Sequence, residues 1–196
     1  IKHLFTADTE IALSFGKPLD VIGNVVDKEG KSLTPNGTTF DIKGYFEFEN
    51  QIVRDEQRNF EYTKILGSQI VKSYFKYNTV MSVPLVAFVY FKLLQSRQKH
   101  LSLYELILLP EEDRIVNRVD MLDAVEKVKN RLLEINEDGK VLLSDIVNDK
   151  SSSEIVQNAL KAISLFNSKK VLYMDSEKNL NSQDLRLAYF YHNRLK

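Results

Sequence analysis

The sequence predicts a mainly α (α+β) protein: a helical bundle with a short N-terminal strand-and-turn arm and a small β-hairpin near the C-terminus. After residue 50, apolar residues recur at the three-to-four-residue spacing of amphipathic helices. Two S-x-x-E patterns, at 102–105 and 151–154, are typical of helix starts. Before residue 50, by contrast, glycines recur every seven residues, and helical spacing is missing.

Residues 1–50 are the first predicted region, made of a strand and glycine-rich turns. "EIALSFG" at 10–16 alternates apolar and polar residues, as a short strand does. The glycines at 16, 23, 30, 37 and 44 are evenly spaced, but the residues between them do not repeat, so we predict no solenoid. "KEGK" and "PNGT" are typical of turns, and "VDKEGK" lacks the alternating acids of a calcium loop. We therefore predict a strand and then hairpin-like turns over 10–48.

Residues 51–196 are the second predicted region, and it is helical. Helices are expected at about 55–77, 83–98, 102–110, 119–136 and 151–166, and a last helix is expected to be capped by Asn181. "KVLYMD" at 170–175 predicts a strand with "SEKN" as its turn. The helix at 83–98 is apolar nearly all round, so we expect it at the centre of the fold. Replacing Phe88 with Ala there is expected to cost roughly 3–5 kcal/mol if the ring is buried.

Composition excludes several classes of protein. The 196 residues contain 27 basic and 27 acidic side chains, and this balance argues against a dedicated nucleic-acid binder. With no cysteine, the chain cannot form disulfides, thiolate zinc sites or a cysteine nucleophile. Three histidines lie far apart, so we predict no metal site and no cofactor. The longest apolar run, 80–91, is too short to cross a bilayer, which takes about twenty residues.

"HLFTAD" at 3–8 resembles the H-x-x-x-x-D dyad of glycerolipid acyltransferases, in which the histidine removes a hydroxyl proton and the aspartate orients the histidine. Only two residues precede His3, so a supporting strand is not expected there. An acyl-transfer site also needs an oxyanion stabiliser and a phosphate clamp, and no glycine-rich phosphate loop surrounds this stretch. We interpret His3 and Asp8 as a coincidental match, and we assign no catalytic, cofactor-binding or metal-binding residue.

Two further segments have a functional and a structural interpretation. The order of elements over 101–175 is that of a winged helix, but the helix at 153–166 carries only Glu154 and Lys161 as charges, so DNA binding is not predicted. "LAYFYHNR" at 187–194 could stack on a ligand, and more often such a stripe closes a core. We favour the core interpretation for this stretch.

Several stretches, in order, resemble the region of the glycerol-3-phosphate acyltransferase family that follows its catalytic motifs. "IALSFGKPLDV" is similar to the family's "V-x-F-G-x-P-I" strand, which closes the catalytic domain. "DEQRNFEYTKILGSQIVKSYFKYNTV", "SVPLVAFVYFKLL" and "LYELILLP" resemble the helices that follow. "LAYFYHNRLK" is similar to the family's "L-x-x-Y-Y-R-N-x-I", with His192 where an arginine is common.

The resemblance implies that the chain is the C-terminal, non-catalytic part of a glycerol-3-phosphate O-acyltransferase. The parent would transfer an acyl group from acyl carrier protein or coenzyme A to glycerol 3-phosphate, the first step of phospholipid synthesis. In the family the H-x-x-x-x-D and E-G-x-R-S motifs lie far upstream of the "F-G-x-P" strand. His3 lies only a dozen residues before Gly16, and no E-G-x-R-S occurs, so "HLFTAD" does not correspond to that dyad.

The same resemblance implies the partners and the location of the chain. Residues 1–50 would be a remnant edge of the catalytic domain, and that domain would be the main partner. We expect no nucleic acid, and contact with membrane only peripherally, on the cytoplasmic side, through a membrane-associated parent. The segment itself is expected to be soluble and inactive. The chain starts at Ile1 without a signal peptide, as expected of a fragment. The alternative is a non-enzymatic helical, winged-helix-like interaction module.

Overall fold

A computed structural model describes residues 11–195 of the chain. They divide into two compact units: Ser14–Asn78, and a helical unit of residues 79–195 to which residues 11–13 also belong. Our sequence-based boundary lay after residue 50. The observed division lies after Asn78, so the first helix groups with the glycine-rich turns.

The fold class is mainly α with small hairpins, as the sequence predicted. The helices of the described part are α1 (Glu56–Tyr77), α2 (Ser82–Arg97), α3 (Leu103–Ile107), α4 (Arg118–Glu137), α5 (Asp145–Asp149), α6 (Ser152–Phe166) and α7 (Leu185–His192). Five of them begin and end within a few residues of their predicted positions. Both predicted capping boxes are present, at the starts of α3 and α6. The short helix α5 was not predicted.

The unit Ser14–Asn78 begins as a meander of tight turns. Its paired strands are β1 (Ser32–Leu33) with β2 (Thr39–Phe40), and β3 (Glu47–Phe48) with β4 (Gln51–Ile52), both antiparallel. Isolated bridges join Leu19 to Val25 and Val26 to Ser32. The predicted hairpin-like turns are therefore present. The strand predicted at 10–16 does not form over its described residues, 11–16, where Ile11, Leu13 and Phe15 are exposed.

The seven-residue glycine spacing reflects a repeated turn. In three successive turns the glycine has a positive φ, of 91°, 80° and 80°, and its N–H donates to the carbonyl three residues earlier. The residue at that earlier position is Asp20, Asp27 or Thr34, and its side chain accepts the N–H four residues further on. Asx and Ser/Thr turns of this kind need only one acceptor and one glycine. The residues between the glycines can therefore vary, which is why sequence similarity between the repeats is low.

Helix α1 packs against this meander without a deeply buried face. Asp55 caps it by accepting the N–H of Arg58. No residue of α1 is fully buried. Among the apolar residues that share one face of α1, Tyr62 and Leu66 are half-buried, and Tyr74 is 73% exposed. Edge-to-face contacts of Tyr62 with Phe46 and Tyr45, at 5.8 and 6.4 Å between centroids, hold the helix to the second hairpin.

In the helical unit α2 lies at the centre, as predicted. It packs against α7, α6 and α4, and eight of its sixteen residues are buried. The Ser82 hydroxyl donates to Asn158 of α6 at 2.6 Å, and the Tyr90 hydroxyl donates to the Arg114 carbonyl at 2.7 Å. Phe88, which we expected in the centre, is half-buried at the edge of this core. A helix that is apolar on nearly every side can therefore be identified as central from its sequence, but the sequence does not show which of its residues are most deeply buried.

Two short sheets close the helical unit. β5 (Thr79–Val80) pairs in parallel with β6 (Leu142–Leu143), and β7 (Tyr173–Met174) pairs antiparallel with β8 (Leu180–Asn181). The second pair is the hairpin predicted around "SEKN". Asn181 does not cap the last helix, contrary to our prediction. It lies in β8 and accepts the Ser182 N–H at 2.7 Å, and the cap of α7 is Asp184, which accepts the N–H groups of Arg186 and Leu187.

The turn between β7 and β8 is built like the three glycine turns, except that Lys178 occupies the glycine position with a φ of 64°. Asp175 accepts the N–H groups of Glu177 and Asn179, both at 2.9 Å. A side chain in this region costs about 1–2 kcal/mol, partly offset by the greater unfolded-state entropy of glycine. We expect Lys178→Gly to raise the free energy of unfolding by about 0.5–1 kcal/mol in chemical denaturation. The matched control Glu177→Gly has no positive φ to relieve and should lower it.

Candidate functional site

A cleft of about 540 Å³ lies within the unit Ser14–Asn78. One wall is the C-terminal half of α1, and the other is the first part of the meander. Its polar side chains include Gln69, Lys72, Ser73, Lys76 and Tyr77 from the helix. These five follow the 3–1–3–1 spacing of one helix face. The volume lies within the range of small-molecule sites, roughly 300–1,000 Å³.

The meander contributes a charged residue and an apolar surface. Lys17 enters from the "FGKP" stretch, and Leu19, Val25, Leu33 and Pro35 supply the apolar part of the wall. The cleft therefore combines ammonium groups from both walls with hydrocarbon from the meander wall.

Two glycines bring the meander close to α1. A Cβ on Gly16 would lie 2.9 Å from ring atoms of Tyr77, so the "FGKP" stretch passes directly over that ring. A Cβ on Gly23 would lie 3.3 Å from the Leu66 Cα. Side chains at these positions would push the meander away from the helix and change the width of the cleft.

The charge of the cleft is one-sided. Among its lining residues, all in the described part of the chain, there are three lysines and neither Asp nor Glu. Lys17, Lys72 and Lys76 form none of the ion pairs found over residues 11–195. Lys76 instead lies 5.6 Å from the centre of the Tyr77 ring. The unit contains as many acidic as basic side chains, but none of its acids lines the cleft, and Asp20 of the meander lies in the turn at the lip.

Asp20 holds the turn that forms one lip of the cleft. Its carboxylate accepts the N–H groups of Ile22 and Asn24 at 2.9 and 2.8 Å, and the Asn24 side-chain amide at 3.0 Å. Partial burial on its own would raise the pKa of Asp20, but these hydrogen bonds and one from Ser32 outweigh burial, and the pKa is lowered. The charged form is therefore the one that the fold stabilises.

The lowered pKa of Asp20 has a consequence for stability. A lowered folded-state pKa stabilises above the unfolded pKa of about 3.9, and that stabilisation is lost as the pH falls through the folded value. We expect Asp20→Ala to lower the free energy of unfolding at pH 7 by about 1.5–3 kcal/mol, the range for hydrogen bonds to a charged group. The difference between variant and wild type should shrink below about pH 4 in denaturation series. Asp27→Ala is the control and should cost less, because the hydrogen bonds of the Asp27 carboxylate in the second turn are exposed to solvent and those of Asp20 are partly buried.

The aromatic stretch at 187–194 forms part of the core. His192 is 3% exposed, and its ring stacks on Phe88 and Tyr189, each at 5.2 Å between centroids, with Phe91 at 5.0 Å. Phe190, on the other side of α7, is 54% exposed. The core interpretation of this stretch therefore describes His192, which is buried, and Tyr189, whose ring stacks on it.

A second polar cluster is structural. Arg114 donates to the Leu109 and Ser182 carbonyls at 2.7 and 3.0 Å, which ties the loop before α4 to the C-terminal hairpin. The Tyr173 hydroxyl donates to Glu111 at 2.6 Å, and this hydrogen bond raises the pKa of Tyr173 to about 12. Burial likewise raises the pKa of Tyr90, whose hydroxyl is bound to a carbonyl. Both hydroxyls therefore remain protonated donors at neutral pH.

The other residues weighed in the sequence analysis do not form a site. His3 and Asp8 lie outside the described residues. His100 is exposed in the turn after α2. Over residues 11–195 there is no group of three or more His, Cys, Asp or Glu side chains arranged to hold a metal. In the same part of the chain, no helix combines the length and apolarity needed to cross a bilayer.

Sequence reasoning missed the lysine cleft. The only local signal was the i,i+4 pair Lys72 and Lys76, which in a sequence is indistinguishable from an ordinary solvated helix face. Lys17 lies more than fifty residues away in the chain. Only the folded meander brings these three residues to one cleft.

Comparison of the chain with models of known protein families, with curated proteins and with solved structures finds no match.

Proposed function

We propose that this chain is the C-terminal, non-catalytic region of a glycerol-3-phosphate O-acyltransferase. The parent would transfer an acyl group from acyl carrier protein or coenzyme A to glycerol 3-phosphate, and this region would support the catalytic domain. The proposal rests on the order of the five stretches that resemble the family. The structural observation that supports it best is that two of these stretches pack against each other in the core of the helical unit.

Two of the resembling stretches meet at the centre of the helical unit. "SVPLVAFVYFKLL" forms most of α2, and "LAYFYHNRLK" includes residues 187–192 of α7, which packs along α2. The rings of Phe91 and His192 join them. Stretches that form a shared core are the ones that a family with this fold would need to keep, so their burial agrees with a role as framework.

The first resembling stretch supports the proposal that a further domain packs against this chain. In "IALSFGKPLDV", Ile11, Leu13 and Phe15 alternate with the smaller Ala12 and Ser14 and are 69%, 81% and 90% exposed. Alternating exposed apolar residues are expected where a strand pairs with, and packs on, a sheet from elsewhere. In the proposal that sheet belongs to the catalytic domain of the parent.

The proposal is tested with the whole reading frame that contains this chain. We expect H-x-x-x-x-D and E-G-x-R-S upstream of Ile1, and acylation of labelled glycerol 3-phosphate by the purified full-length protein. Replacing the upstream histidine with Ala should abolish activity, because it would be the general base. His3→Ala is the matched control and should retain activity. A reading frame without these motifs, or a full-length protein that acylates no glycerol 3-phosphate, would refute the proposal.

The order of elements in the helical unit supports the alternative proposal, a winged-helix-like interaction module. The elements α4, β6, α5, α6 and the β7–β8 hairpin follow in the order helix, strand, helix, helix, hairpin, which is the order of winged helices. The equivalent of the recognition helix, α6, buries Ile155, Val156, Ala159 and Ile163 and carries one acid and one base. That composition offers no basic face to nucleic acid, so the alternative is a protein-binding module. It is favoured if the reading frame lacks both acyltransferase motifs.

A further inference from the structure

We infer that the lysine cleft of the unit Ser14–Asn78 binds the phosphate group of an anionic ester whose organic part is apolar. Lys72 and Lys76 line the cleft from α1, and Lys17 lines it from the meander together with the apolar side chains of Leu19, Val25 and Leu33. This inference rests on the chemistry of the cleft and does not depend on the acyltransferase function proposed above.

The first argument is electrostatic. Lys72 and Lys76 are one turn apart on α1, and like charges at this spacing destabilise a helix slightly. Lys17 brings a third ammonium group to the same cleft. The negative end of the α1 dipole is near, but it amounts to about half an elementary charge and cannot balance three cations. A phosphate monoester, with a charge of about −1.5 to −2 at neutral pH, would balance most of the remainder.

The second argument is hydrogen bonding. Lysine is a compact point charge with three donors and is a common ligand of phosphate. Gln69, which precedes Lys72, and Ser73, which follows it, line the cleft from the same face of α1 and are half-buried, so their side chains add neutral polar groups. An anion that entered here would meet donors from the helix and, through Lys17, from the meander. No carboxylate lines the cleft to compete with it, all of its lining residues being described.

The third argument is size and polarity. The cleft, at about 540 Å³, is several times larger than a phosphate group. Leu19, Val25 and Leu33 border the remaining space. Burying hydrocarbon there is favourable by roughly 0.8 kcal/mol per methylene group when burial is complete. The geometry therefore selects an ester with a hydrocarbon part over inorganic phosphate alone.

The test measures binding to the full chain by isothermal titration calorimetry. The probes are inorganic phosphate, n-hexyl phosphate, and vesicles of phosphatidylcholine with and without phosphatidic acid. We expect saturable binding of hexyl phosphate, tighter than that of phosphate by about tenfold or more because of the buried chain. Binding should weaken in about 0.5 M salt, where charge screening is strong.

Matched triple variants decide whether the cleft is the site. Lys17→Gln with Lys72→Gln and Lys76→Gln removes the three cleft charges, and binding should weaken about tenfold or more. Lys28→Gln with Lys31→Gln and Lys43→Gln removes the same charge from exposed turns of the same unit, and binding should stay within about twofold of wild type. All six side chains are exposed, so both variants should fold, which circular dichroism checks.

The vesicle arm distinguishes the source of the phosphate. Binding of monomeric hexyl phosphate that depends on the cleft lysines assigns a free ester as ligand. Binding confined to phosphatidic acid vesicles, with the same dependence, assigns a lipid headgroup. Equal losses in the two triple variants, or no saturable binding of either probe, would overturn the inference.

Discussion

Replacing Phe91 with Ala should lower the free energy of unfolding of the helical unit by about 3–5 kcal/mol. The ring is 1% exposed at the centre of α2. It lies 4.9 Å from the ring of Tyr189 and 5.0 Å from that of His192, so its removal leaves a cavity bordered by other rings. Domains of this size are stable by roughly 5–15 kcal/mol, so the loss would be a large fraction of the total. Chemical denaturation followed by circular dichroism measures it.

Phe190→Ala is the matched control for this prediction. Phe190 lies on α7 beside the same cluster but is 54% exposed. It stacks edge-on with Tyr191 and lies under Arg194, contacts that contribute about 1 kcal/mol or less at a surface. A loss in Phe91→Ala no larger than that in the control would contradict the central position of α2.

Gly23→Ala should lower the free energy of unfolding of the unit Ser14–Asn78 by about 2–5 kcal/mol. Gly23 has a φ of 91°, where an L side chain costs about 1–2 kcal/mol. Its new methyl group would also approach the Leu66 Cα to 3.3 Å, and an over-packed contact with backbone costs roughly 1–3 kcal/mol. The same methyl would widen the cleft, so we expect weaker binding of any ligand there.

Gly30→Ala separates the two contributions. Gly30 occupies the equivalent position of the next turn with a φ of 80°, but a Cβ there meets no atom within 4 Å. We expect only the conformational cost of about 1–2 kcal/mol for this variant. If thermal denaturation shows equal losses for the two variants, the close approach of the meander to α1 is not significant for stability.

Most of the helices could be predicted because their signals are local. Asp55 before α1, and the S-x-x-E patterns of α3 and α6, satisfy N–H groups at helix starts within four residues. The hairpin around "SEKN" is likewise set by one turn. Asn181 was misplaced because Asp184, three residues later, is an equally good cap. Which of two nearby caps is used depends on the β7–β8 pairing and not on local sequence.

The strand predicted at 10–16 is absent from its described residues for a related reason. Alternation of apolar and polar residues expresses a preference for a sheet, but a strand exists only where a second strand supplies hydrogen bonds. The parallel pairing of β5 with β6 was not predicted, because here two strands pair without a local sequence signal. Thr79 and Leu142, which face each other, are far apart in the chain, and neither has a distinctive sequence pattern.

The sequence by itself determined the fold class, the central helix and the positions of the main helices, because periodicity and capping act over three to seven residues. It also excluded thiol chemistry, since the chain has no cysteine. Only the tertiary structure decided that His192 belongs to a core and that Lys17 joins Lys72 and Lys76 in one cleft. Both depend on contacts between residues far apart in the chain, whose geometry follows from the packing of whole elements and not from any local pattern.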